Sequence, residues 1–193
     1  MKINLDEKGR DPFIHEFLNY LEGHDKIDPR LKTTILSQPT HKMSTLYRLC
    51  RVQKGKYTKG DVIKLKDTDM LSASDQPRNA VYAGCSFAHD TLSEKDLAEK
   101  DLVLIKIRSS NVYMSYKFIR DMLVTYSEIE AKPRTTGFKT NQQIKSFRSN
   151  INFTIARLDR EREYIISGKN VTGSVMVIKD YDYLKSNKWM RLI

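Results

Sequence analysis

The sequence first narrows the possibilities by what it lacks. It has two cysteines, Cys50 and Cys85. That is too few for a disulfide framework and fits a reducing compartment, with a single bridge left open. No C-x-x-C or H-E-x-x-H spacing occurs, so a zinc site, or any metal, is not expected. No G-x-G-x-x-G follows a strand pattern and no G-x-x-x-x-G-K-S/T exists, which leaves the standard dinucleotide and phosphate-loop sites without support. The G-x-S-x-G nucleophile elbow is also missing. No apolar run approaches the length of a membrane span, and the N-terminal MKINLDEKGRDPF lacks the apolar centre of a signal peptide. These absences predict a cytoplasmic protein with no membrane partner. There is no internal repeat.

What is present describes a globular chain. Its 193 residues correspond to about one domain, and 39% hydrophobic with 30% charged residues is enough apolar material for a real core. The formal net charge is +10. Such an excess favours acidic partners, including nucleic acid, acidic protein surfaces and phosphorylated cofactors.

The N-terminal part reads as helical. Asp11, Pro12 and Gly23 are the cap, first residue and stop of a helix over 11–23, with Ile14, Phe17, Leu18 and Leu21 on one stripe. Asp28 and Pro29 open a second helix that buries Leu31, Ile35 and Leu36 and ends at Pro39. His15, His24 and His41 fall in or near this region at no ligand spacing. Residues 45–52 then alternate like a strand, and Val62–Leu65 and Met70–Ser74 follow as two more. A short helix opens at Asp75-Gln76-Pro77 and runs through Tyr82. The stretch from His89 to Lys100 reads as a loop with a turn of helix. Asp101–Ile107 is a buried strand, and a helix is expected from about Tyr116 to Val124.

Residues 131–150 carry five basic residues and no acidic one. They read as a long loop, which is either functional or a surface excursion. Phe153–Ala156 reads as a strand leading into Glu161 and Glu163, with Tyr164–Ile166, a turn at 167–170 and Ser174–Ile178 after it. The tail from Tyr181 to Ile193 reads as a further strand that Trp189 is expected to anchor. Helices first and strands afterwards predict an α+β fold, a single domain over 1–193 with a helical lobe at 1–44 and a strand-rich core at 45–193.

The chemistry of interest lies in three pieces. Arg48 stands in the strand Thr45-Leu46-Tyr47-Arg48. Ser72-Ala73-Ser74 begins a strand-to-helix passage. Glu161-Arg162-Glu163 opens a late strand, where i and i+2 share a face, so both carboxylates are expected to project together. Each residue alone has a plain structural alternative. Ser72, Ser74 or Asp75 could cap the following helix, and the glutamates could pair with Arg157, Arg160 or Lys179.

Taken in order, these pieces resemble the motifs of the mono-ADP-ribosyltransferases of the arginine–serine–glutamate class. Those motifs are an aromatic-Arg strand, an S-T-S strand and a Q/E-x-E sequence. Within that class the pattern is similar to the small Mod and Alt enzymes of T-even-like bacteriophages, over roughly residues 45–180. Leu49 replaces the glycine usual after the arginine, Ala73 replaces the middle threonine, and Leu71 stands where an aromatic is frequent.

The resemblance implies a split β-sandwich core and NAD as a substrate, with no metal. It implies transfer of ADP-ribose to an arginine of a host protein, RNA polymerase or the translation machinery being examples. Glu163 would face the developing positive charge on the ribose, and Glu161 would hold the acceptor guanidinium. Ser72 would orient Glu163 with Ser74 beside it, and Arg48 would grip the NAD phosphates. Tyr113, Tyr116 and Phe118 are candidates to stack on the nicotinamide. A non-enzymatic nucleic-acid binder, or the same fold acting on RNA, is the alternative the basic excess suggests.

Overall fold

A computed structural model describes residues 7–21, 28–91, 93, 98–129 and 141–180. The fold is α+β, with helices at the N-terminus and an antiparallel sheet of six strands among the described residues. The chain divides into two compact units, Met1–Pro39 with Met114–Asp159 and Thr40–Tyr113 with Arg160–Ile193. The helical unit is therefore discontinuous in sequence and does not simply end near residue 44.

The helical unit contains α1 (Glu7–Leu21), α2 (Pro29–Leu36), α4 (Tyr116–Ile129) and most of α5 (Asn141–Glu161). In α1 the expected stripe is buried, with Ile14, Phe17, Leu18 and Leu21 all at 6% exposure or less. The helix begins before the expected Asp11 cap, so Pro12 lies inside it. A proline past the first turn costs about 3 kcal/mol, less than several buried apolar side chains contribute at about 1.5–3 kcal/mol each. The expected stop at Gly23 lies outside the described residues.

Asp28 does cap α2, accepting from the N–H groups of Arg30 at 2.8 Å and Leu31 at 3.1 Å. Leu31 and Ile35 are buried, and Leu36 is half-buried. In α4 the residues Ile119, Leu123 and Tyr126 form the buried stripe. Asp159 of α5 ties the two last helices together, accepting from the Tyr116 hydroxyl and from Arg120 at 2.9 Å. Arg157 donates to the carbonyl of Leu21 at the end of α1.

Two expectations fail here. Residues 141–150 are helical, so the second half of the expected loop is the start of α5. Residues 130–140 lie outside the described residues. Phe153–Ala156 is also helix, not strand. The reason is period: Ile151, Thr154, Leu158 and Glu161 are the buried positions, spaced by three, four and three residues, which is one helical stripe. Phe153 is 68% exposed.

The second unit holds the sheet: β1 (His41–Gln53), β2 (Val62–Lys64), β3 (Met70–Ser74), β4 (Lys100–Met114), β5 (Glu163–Ser167) and β6 (Thr172–Lys179), with α3 (Pro77–Thr91) after β3. Helix α3 runs past His89 into the stretch expected to be a loop. The strand order is β1-β3-β5-β4-β6-β2, and β1 also pairs with β4. Following the hydrogen bonds from β1 through β3, β5 and β4 thus returns to β1. The pairing of β1 with β4 is long, from His41↔Val112 to Gln53↔Lys100, whereas β1 and β3 share one pair, Tyr47↔Ser74.

Leu46, Ala73, Val103, Ile105, Ile107, Ile166 and Val175 form the centre of the core. On β4 the run Leu102–Ile105 is buried at every position, so both faces of that strand are covered. Gly173 sits in that core because an added Cβ would stand 2.9 Å from Ile105 Cδ1. The tail with Trp189 lies outside the described residues.

Candidate functional site

Three neighbouring strands, β1, β3 and β5, bring Arg48, Ser72 and Glu163 into one chain of contacts. The β3–β5 register pairs Ser74 with Glu163 and Ser72 with Ile165. Directly opposed residues share a face, and so do residues two apart. Ser72, Ser74 and Glu163 therefore project to one side of the sheet, and Ala73 and Ile166 point into the core. The Ser72 hydroxyl donates to Glu163 Oε1. Glu163 is only 9% exposed and Ser74 3%. A nearly buried carboxylate held by a hydroxyl is a preorganised acceptor aimed in a fixed direction.

Arg48 joins this group differently from the sequence expectation. By register it opposes Ile105 on β4 and shares the face of Leu46. It reaches the site through the main chain, donating Nη1 to the Ser72 carbonyl. The contact lies where the β1–β3 ladder stops after a single pair, so a side chain occupies the place of further ladder bonds. The same guanidinium lies beside the Cys50 thiol. Burial pushes that thiol's pKa up, and the Arg48 charge only partly offsets it.

Leu49, the departure from glycine after the arginine, is accommodated by the helix packed against it. Gly84 of α3 faces it, and a Cβ there would stand 2.5 Å from Leu49 Cβ.

Glu161 is not on the strand. It is the last residue of α5, and Glu163 is the first of β5. Between them Arg162 takes φ +44°, the left-handed conformation that ends many helices. The i, i+2 rule for strands therefore does not place the two carboxylates together. Both are nonetheless buried, Glu161 at 6%, one by the helical stripe and the other by the strand.

The residues that fix this junction escaped the sequence reading. Asp75 accepts from Arg162 Nη1 at 3.4 Å and from the Tyr164 hydroxyl at 3.4 Å. Burial is the main cause raising the Tyr164 pKa, with the Asp75 charge adding to it. Asn79 of α3, 5% exposed, donates Nδ2 to the Arg160 carbonyl at 2.5 Å, satisfying an orphan group at the end of α5. Among the described residues, Asp75 Oδ1 and Asn79 Oδ1 are buried without a hydrogen-bond partner. One signal was available: a buried amide in the apolar stretch Asn79-Ala80-Val81-Tyr82 needs a partner.

Of the aromatic candidates, Tyr113 is half-buried near the end of β4. Tyr116 and Phe118 belong to α4 in the helical unit, where Tyr116 is bonded to Asp159. Among the described residues no group of three His, Cys, Asp or Glu side chains is placed to hold a metal ion. No helix among them is long and apolar enough to cross a membrane. Comparison with family models, with curated proteins and with solved structures found no match to this chain.

Proposed function

We propose that the protein is an NAD-dependent mono-ADP-ribosyltransferase that modifies an arginine of an acceptor protein and releases nicotinamide. The observation that carries this reading is the Arg48–Ser72–Glu163 chain of contacts, whose links join residues 24 and 91 positions apart in sequence. The early end of the β1–β3 ladder supports it as well. A sheet that parts between those strands is what a split β-sandwich requires, and the parting lies beside the candidate carboxylate.

The chemistry follows from the groups. The bond between nicotinamide nitrogen and ribose C1′ breaks, and its electron pair leaves with nicotinamide. Positive charge develops on the ribose. Glu163, held by Ser72, faces that charge and stabilises it, an electrostatic role of the kind that dominates such transfers. An acceptor guanidinium nitrogen forms the new bond to C1′ and must lose a proton. Glu161 is the group proposed to hold the guanidinium and take that proton, since free guanidinium stays protonated at neutral pH. Arg48 positions Ser72 through its carbonyl, and the grip on the NAD phosphates is the role that the resemblance implies for it. By resemblance to the bacteriophage enzymes, the acceptor is a host protein such as RNA polymerase or a component of the translation machinery.

The test uses radiolabelled NAD with a bacterial lysate, and nicotinamide release measured in parallel. Glu163→Gln keeps the shape and removes the charge. It should lower both readouts by about a hundred-fold or more. Equal labelling by the variant would remove Glu163 from the reaction.

A further inference from the structure

An open groove of about 550 Å³ lies along β1 and β4, lined by Lys42, Met43, Ser44, Thr45, Lys106 and Arg108. We propose that this groove binds the phosphodiester backbone of a nucleic-acid strand. Three of its six lining residues are cationic, two carry hydroxyls and none is acidic. Lys, Arg, Ser and Thr are the side chains that most often meet phosphate oxygens.

The register gives the groove a direction. Thr45 opposes Arg108 and Tyr47 opposes Lys106, so Lys106 and Arg108 project to the same side, about 6.8 Å apart along the strand. That separation is close to the step between successive phosphates of an extended strand. The open shape suits a chain that enters and leaves, not a small molecule that must be enclosed. The formal net charge of +10 adds long-range attraction for a polyanion.

By register, Lys106 of the groove belongs to the same row of residues as the candidate carboxylate. Glu163 opposes Ser74, Ser74 opposes Tyr47, and Tyr47 opposes Lys106. These four residues form one row across β5, β3, β1 and β4 on a shared face. Tyr47, half-buried and next in that row to Lys106, is an aromatic ring near the groove on which a base could stack. Binding itself does not rest on the transferase reading, because it requires neither NAD nor Glu163.

The test is fluorescence anisotropy of a short labelled oligoribonucleotide with the full chain, without NAD, over a range of salt. The double variant Lys106→Glu with Arg108→Glu should weaken binding at least about ten-fold and lower the slope of log affinity against log salt by about 2. The charge-preserving pair Lys106→Arg with Arg108→Lys should bind like the parent, which separates loss of charge from loss of fold. Unchanged affinity and slope in the charge-reversed variant would overturn the proposal. So would equal affinity for a polyaspartate peptide, which would indicate a surface for acidic proteins. Inorganic pyrophosphate binding as tightly as the oligonucleotide would overturn it too, by showing a site for small phosphates alone.

Discussion

At the scale of single residues, one hydrogen bond concentrates the candidate chemistry. Ser72 donates to Glu163, and a hydrogen bond to a charged group contributes about 1.5–3 kcal/mol. If that bond is tighter when positive charge develops on the ribose, Ser72→Ala should reduce nicotinamide release by about ten- to a hundred-fold. The folding transition should fall as well, because the same bond supports a nearly buried carboxylate in the folded state. Steady-state kinetics with NAD alone would check this, and an unchanged turnover would show that the hydroxyl takes no part. The serine and glutamate were legible as residue types. Which serine bonds was not legible, because Ser72 and Ser74 share a face and differ only in register. Ser74 opposes Glu163 directly, yet the diagonal neighbour Ser72 makes the bond.

At the scale of elements, the junction from α5 to β5 decides where the two glutamates sit. Arg162 holds φ +44° without being glycine, at a cost of about 1–2 kcal/mol. The ion pair with Asp75 is part-exposed and offsets only some of this. Arg162→Gly should therefore be more stable than Arg162→Ala by about 1 kcal/mol, since both lose the ion pair and only glycine relieves the backbone. Urea unfolding of the two variants measures the difference, and equal midpoints would show that the left-handed turn is not strained. The sequence misled here because Asp-Arg-Glu-Arg-Glu offers no glycine to announce a helix end. A short apolar run such as Phe153–Ala156 also fits either period. Only the partners decide: Leu158 and Ile151 are fully buried on the helical stripe, and Asn79 receives its last turn.

At the scale of the whole molecule, stability at alkaline pH offers a test of burial in the sheet unit. Cys85 on α3 is 1% exposed, and burial pushes its thiol from an ordinary value of 9.0 up to about 12. Above pH 9 the unfolded chain loses this proton and the folded chain keeps it. The resulting stabilisation is fully present below pH 9 and is lost as pH rises through about 12. Unfolding midpoints of the parent should thus fall more steeply between those values than midpoints of Cys85→Ala. Parallel profiles would show that Cys85 ionises in the folded protein as freely as in the unfolded one. Lysines and tyrosines titrate in the same range, so the difference between the two proteins is the quantity to read.

The sequence by itself determined the features that depend on near neighbours. It specified the capped helix after Asp28, the apolar stripe of α1, the long strand around Ile105, the α+β class and the large positive charge. Each follows from spacing, cap chemistry or composition, which act over a few residues or over none. The tertiary structure decided the rest. The discontinuous helical unit, the single β1–β3 pair bridged by Arg48, the support from Asp75 and Asn79, and the row from Glu163 to Lys106 join residues far apart in the chain. Their positions depend on register and on which long-range contacts compensate the chain entropy of forming them, and no local pattern encodes either.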